Sequence, residues 1–128
     1  MGKINRFEDI QAWQKARELN KEIYNTTGIH SFSKDFSLRD QVRKGSVSIM
    51  ANIAEGFGRR SKKEFSNFLN IAHGSAAEVQ CHLYVALDQK YMIKDSFENT
   101  IHIMSEYWSL DIGYWKFFSI PSSLPAHG

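Results

Sequence analysis

The sequence predicts an all-α protein folded as one antiparallel, up-down-up-down four-helix bundle, on three observations. Apolar residues recur at spacings of three and four in four separate stretches, the mark of helices with one buried face. The only two prolines lie within the last eight of 128 residues, which leaves the body free for long helices. Short connections between the stretches place chain neighbours side by side and antiparallel. A chain of this length fits one domain whose core needs neither disulfide nor metal.

The first helix is expected over about 7–26, carried by Phe7, Ile10, Trp13, Ala16, Leu19, Ile23 and Tyr24 and ended by Thr26, Thr27 and Gly28. A loop then runs to about Ser37. Ser37 with Asp40 three residues on is a weak form of the capping box, and Leu38, Val42, Ser46, Ile49 and Ile53 trace a second helix over about 38–56, capped by Gly56 and Gly58. Ser61 with Glu64 opens the third, about 62–89, whose stripe is Phe65, Phe68, Leu69, Ala72, Ala76, Val79, Leu83, Ala86 and Leu87. The fourth, about 96–117, carries Phe97, Ile101, Met104, Tyr107, Trp108, Leu110, Tyr114, Trp115 and Phe117. Residues 1–118 thus form the bundle, and 119–128 are expected to be a flexible tail. Small residues at Gly45, Ser46, Ser48, Ala51 and Ala54, facing Gly74, Ser75, Ala76 and Ala77, make the second and third helices the closest-packed pair.

Cys81 is the only cysteine and cannot form an internal disulfide, so the expected compartment is the cytoplasm. The first fifteen residues hold no signal-peptide core, and no window approaches the ~18 apolar residues of a membrane span. The net charge is only +2, too small to assign a nucleic-acid binder from the total. Its distribution is uneven. Residues 38–63 carry Arg39, Arg43, Lys44, Arg59, Arg60, Lys62 and Lys63 against Asp40 and Glu55, a net +5, leaving about −3 for the rest. These seven cations are the candidate phosphate contacts; ordinary solubilising charge is the competing reading. Arg39, Arg43 and Lys44 start the second helix and the other four crown its far end, the helix being about 27 Å long at 1.5 Å per residue.

Catalytic chemistry is sparse. Cys81 and His82 are adjacent, so on a helix they point about 100° apart, and Cys81 reads as a packed thiol rather than a nucleophile. Glu78 with His82, and Glu98 with His102 and Glu106, have the i, i+4 spacing of bundle metal sites. The second set flanks an apolar stripe, as a solvated face would, so neither a metal nor any other cofactor is expected. Residues 56–60 resemble a phosphate loop only superficially, with no strand before them and no Gly-Lys-Ser/Thr after. Nor does the Arg-to-His spacing of bundle-type toxin ribonucleases occur. The chain reads as non-enzymatic, with a bundle metalloprotein as one alternative and a structural or protein-interaction subunit as another.

Asn52 and Glu55 follow the second helical stripe closely and would be costly inside without partners. Arg59 or Gln41 could supply them, which makes Gln41, Asn52, Glu55, Gly56 and Arg59 an expected polar lock at the turn or at a subunit contact.

The same residues carry a family resemblance. Trp13 to Ala16, Leu38 to Lys44, Ser48-Ile49, Asn52 to Gly56, Arg59, Phe68-Leu69, Ile71-Ala72, Gly74-Ser75 and Glu78 resemble, in order, the small bundle proteins encoded within intervening sequences of bacterial 23S ribosomal RNA genes. The resemblance runs from Phe7 to about Ile93. It implies a ring-shaped homopentamer without known catalysis. A more distant similarity, to the accessory variability protein of diversity-generating retroelements, implies a basic pentamer that binds RNA or DNA and a reverse transcriptase. The sequence departs from the family pattern at Ser33, Gly45, Met50 and Ala76. Proline is frequent at the position of Met50, so the second helix should be more continuous than in relatives.

Overall fold

The computed structural model describes the backbone of residues 4–118 and the side chains of residues 4–110. The expected tail, and the side chains of Tyr114, Trp115 and Phe117, lie outside the described residues. A short 3-10 turn, Phe7–Asp9, precedes helices α1 (Gln11–Thr27), α2 (His30–Lys34), α3 (Phe36–Gly58), α4 (Lys62–Asp88) and α5 (Lys94–Phe118). The four long helices form an all-α bundle.

Each difference from the expected boundaries has a local cause. The first helix does not begin at Phe7, because Ile10 takes an extended conformation and is fully buried, which separates the 3-10 turn from α1. Gln14 Nε2 donates to Glu8 O at 2.8 Å and ties the turn back onto the helix. The expected loop after α1 holds a short helix, α2, which buries Phe32. Asp35 rather than Ser37 caps α3: its Oδ1 accepts from Leu38 N at 3.1 Å, so the helix starts at Phe36. Asp35 Oδ2 also accepts from the Tyr91 hydroxyl at 3.0 Å, a hydrogen bond that raises the pKa of the phenol and joins the start of α3 to the α4–α5 connection. Ser61 caps α4 as its sequence suggests, accepting from Glu64 N at 3.1 Å.

Neither Gly56 nor Gly58 acts as a glycine cap. No described glycine has a positive φ, and the left-handed residue that ends α3 is Arg60, at φ 60°. Lys90, at φ 63°, does the same for α4: its N–H donates to Leu87 O (3.0 Å) and that of Tyr91 to Ala86 O (2.8 Å), satisfying two end carbonyls. α3 itself is one uninterrupted helix of 23 residues, about 34 Å long.

Residue pairs define how the helices lie. Between α3 and α4, Ser48 meets Ser75 (3.0 Å), while Gly45 lies against Val79 and Gly56 against Phe68, an antiparallel ladder. α1 and α3 pair antiparallel through Asn20 with Ser46 (2.9 Å) and Thr27 with Arg43 (2.7 Å). On α4 and α5, Tyr84 packs on Phe97, and Trp108 Nε1 donates to Gln80 Oε1 at 2.9 Å beside His73. Lys15 closes the ring from α1 to α5, reaching Glu106 at 3.2 Å and Glu18 at 2.7 Å. The Glu18 hydrogen bond is the first of the influences that raise its pKa.

The core runs the length of these contacts, through Leu19, Ile23, Val42, Ile49, Ile53, Leu69, Val79, Leu83, Met104 and Tyr107, all fully buried. Each such aliphatic side chain stabilises the fold by about 1.5–3 kcal/mol. Ala12 and Thr100 belong to the buried stripes although their types do not announce it, and Tyr24, expected inside, is 43% exposed. Among the described residues no helix is long and apolar enough to cross a membrane.

Candidate nucleic-acid interface

The seven candidate cations separate into two groups with different employment. Arg39 donates through Nε to Asp40 (2.9 Å) and through Nη1 to Ser33 O (3.1 Å), and its guanidinium lies over Phe36. Arg43 donates through Nε to Thr27 Oγ1 at 2.7 Å and covers the ring of Tyr24, 4.6 Å from its centroid. Thr27 in turn donates to Ile23 O at 2.7 Å, so Arg43 completes the hydrogen bonding of a buried hydroxyl. Both arginines therefore fasten the end of α1 and the α2 segment to α3. Lys44 is exposed beside them.

The second group stands at the α3–α4 turn, about 25 Å along α3 from Arg43. Arg59 donates to Glu55 Oε2 at 2.8 Å and lies over Phe68; the Glu55 hydrogen bond is the first influence raising its already high pKa. Arg60, Lys62 and Lys63 are exposed and have no ion-pair partner among the described residues. Lys62 and Lys63 occupy the first turn of α4, where the helix dipole is positive and each added cation costs a few tenths to about 1 kcal/mol. Arg6, not singled out from the sequence, stands by the same end of the bundle, paired with Glu8 at 3.2 Å.

The expected polar lock divides. Asn52 Nδ2 donates to Ser48 O (2.8 Å) and Ser48 Oγ (3.0 Å), and Ser48 meets Ser75 across the helix pair. The inter-helix polar contact is thus Asn52–Ser48–Ser75. Glu55 is exposed and its partner is Arg59, one turn on within the same helical segment. Gln41 bonds Ser37 at 3.2 Å, apart from both. Gly56 is buried for close packing: a Cβ there would lie 2.5 Å from Phe68 Cβ. Ser48 and Ser75 could have been found from the small-residue pattern, since two hydroxyls at closely packed positions must bond each other or a neighbour.

The other candidates do not converge. Cys81 is exposed rather than packed. His82 is half-buried, with Nδ1 buried and without a hydrogen bond, and Glu78 is exposed one turn earlier. Glu98 faces Lys94 at 3.8 Å, while His102 Nε2 lies 3.8 Å from Glu106, whose Oε1 already takes Lys15. Among the described residues no three or more His, Cys, Asp and Glu side chains come together as a metal site would require.

Fold and site together define a small helical bundle protein with a cationic turn at one end and a buried apolar core. The sequence profile of the family described as 23S rRNA-intervening sequence protein matches residues 8–110, and the chain belongs to that family. A solved structure from Bacteroides thetaiotaomicron VPI-5482, described as a protein with unknown function from the S23 ribosomal protein family, is similar at a TM-score of 0.75 and 27% identity. It covers 82% of this chain and 95% of that one. No curated protein sequence matches.

Proposed function

We propose that this chain is a non-catalytic, self-associating bundle protein that binds RNA or DNA phosphates through the α3–α4 turn. One observation carries the reading: Arg60, Lys62 and Lys63 are exposed, close in sequence and without an ion-pair partner among the described residues, at a helix start where they outnumber Glu64, the acidic residue of the first turn. Arg39 and Arg43 take a structural role, and with Lys44 they are too far along α3 to join the same phosphate run.

Self-association is supported by large apolar side chains left exposed on α3 and α4, Val47 at 44%, Ile71 at 51%, Tyr84 at 50% and Val85 at 40%. The resemblance suggests five copies. The same surface favours a second reading, a protein-interaction subunit with no nucleic-acid role, whose assembly would be insensitive to salt.

Fluorescence anisotropy with a short labelled RNA separates the two. Binding through three phosphates per subunit gives an affinity that falls with salt at a log–log slope of about −2 on single strands or about −3 on duplex, from roughly 0.7 to 0.9 per contact. Absent or salt-independent binding at low ionic strength, with light scattering still showing multiples of 14.8 kDa, would leave the interaction-subunit reading in its place.

A further inference from the structure

Two surface clefts that share a wall open at the turn, Arg60 lining both and Lys62 the smaller one. The larger, about 530 Å³, lies between residues 4–8 and the end of α3, with Phe7, Phe57, Arg60 and the Arg6–Glu8 ion pair in its lining. The smaller, about 160 Å³, is bounded by Phe57, Arg60, Lys62 and Phe65. Phe57 and Arg60 stand in both. Phe57 meets Phe65 edge-on at 6.1 Å and is only half-buried, so part of an aromatic side chain remains at the surface between cations.

A duplex has little use for such a wall. Its bases are paired and stacked inside, and it presents phosphates and groove edges, which spaced cations alone can hold. An unpaired base has an apolar face to place against an aromatic ring, and its flanking phosphates need cations on either side. The larger cleft falls in the range of small-ligand sites, about 300–1,000 Å³, whereas the smaller does not. We infer that the turn binds single-stranded nucleic acid, with one unstacked base in the Phe57 cleft and the neighbouring phosphates on Arg60 and Lys62. This rests on the nucleic-acid reading above and adds to it the state of the strand.

The test uses the full chain and three probes: a 12-nucleotide single-stranded RNA, DNA of the same sequence, and the corresponding RNA duplex. Wild-type protein is expected to bind either single strand at least about tenfold more tightly than the duplex. Phe57→Leu keeps apolar bulk and removes the ring, so it should weaken single-strand binding about five- to tenfold or more, in line with the loss of one stacked base. Duplex binding should not change. Phe57→Tyr keeps the ring and should retain single-strand affinity even if it lowers thermal stability as much as Phe57→Leu does, which separates stacking from folding. Equal or tighter duplex binding, or full single-strand affinity in folded Phe57→Leu, overturns the inference and leaves salt-sensitive phosphate binding standing. Failure of all three probes at low salt overturns both.

Discussion

Gly56→Ala is expected to lower stability by about 1–2 kcal/mol, the largest loss foreseen for any single methyl group in this protein. Alanine is the better helix former by about 1 kcal/mol, so an unconstrained site would gain. At Gly56 the added Cβ would sit 2.5 Å from Phe68 Cβ and 3.1 Å from a Phe65 ring carbon. Phe68 Cβ is fixed to its backbone and cannot rotate away, so α4 must move off α3 along their close contact. Overpacking of this kind costs about 1–3 kcal/mol and occasionally more, which outweighs the propensity gain. Gly74 is the internal control, for it lies within α4 with nothing within 4 Å of its would-be Cβ. Gly74→Ala should stabilise by about 0.5–1 kcal/mol. At roughly 3–5 °C per kcal/mol for a chain of this size, circular-dichroism melts should move down by about 5 °C for Gly56→Ala and up by a few degrees for Gly74→Ala. Shifts of the same sign would show that Gly56 is not a packing glycine.

The second large effect is a dissociation between the two ends of α3. Replacing Arg60, Lys62 and Lys63 together with glutamate should reduce RNA affinity more than about tenfold at low salt and shrink the log–log salt slope by about 2, the share of three single-strand phosphate contacts. Stability should hold or rise, because the change removes cations from the positive end of the α4 dipole and places anions there. Arg43→Ala should behave in the opposite way. It deprives Thr27 Oγ1 of its donor and uncovers Tyr24, a combined loss of about 1–2 kcal/mol, while RNA affinity stays within about twofold. If Arg43→Ala abolished binding in folded protein and the triple variant did not, the assignment of the two groups would be reversed.

The helices were legible because burial imposes a period on the sequence that a single reading can detect. The stripe through Val42, Ile49 and Ile53 and that through Leu69, Val79 and Leu83 are buried as spaced. Ser61 was legible as a cap since its hydroxyl and Glu64 lie within one turn. Asp35 was not, for the Ser37–Asp40 pair offers the same local pattern two residues later and only the Tyr91 contact, 56 residues away, favours the earlier start. Gly56 was misread because a glycine after a helical stripe is ordinarily a terminator, and the need to admit Phe68 is a tertiary fact. The charge imbalance of residues 38–63 was countable. Beyond the adjacent Asp40, which arginines are occupied was not, because Ser33, Thr27 and Tyr24 belong to α1 and α2 and a count of charges is blind to hydroxyls, carbonyls and rings. Exposed Glu55 shows the same limit from the other side, lying one position before buried Gly56, whereas Cys81 stands two positions from both Val79 and Leu83, on the face opposite the stripe, so its exposure follows from the spacing.

The central claim, that nucleic acid is held at the α3–α4 turn and not by the arginines at the start of α3, is tested most directly by hydrogen–deuterium exchange on the full chain with and without a 12-nucleotide single-stranded RNA. Protection on binding should concentrate in residues 57–65 and in the adjoining residues 4–8. Protection confined to residues 36–45, with exchange at the turn unchanged, would contradict it.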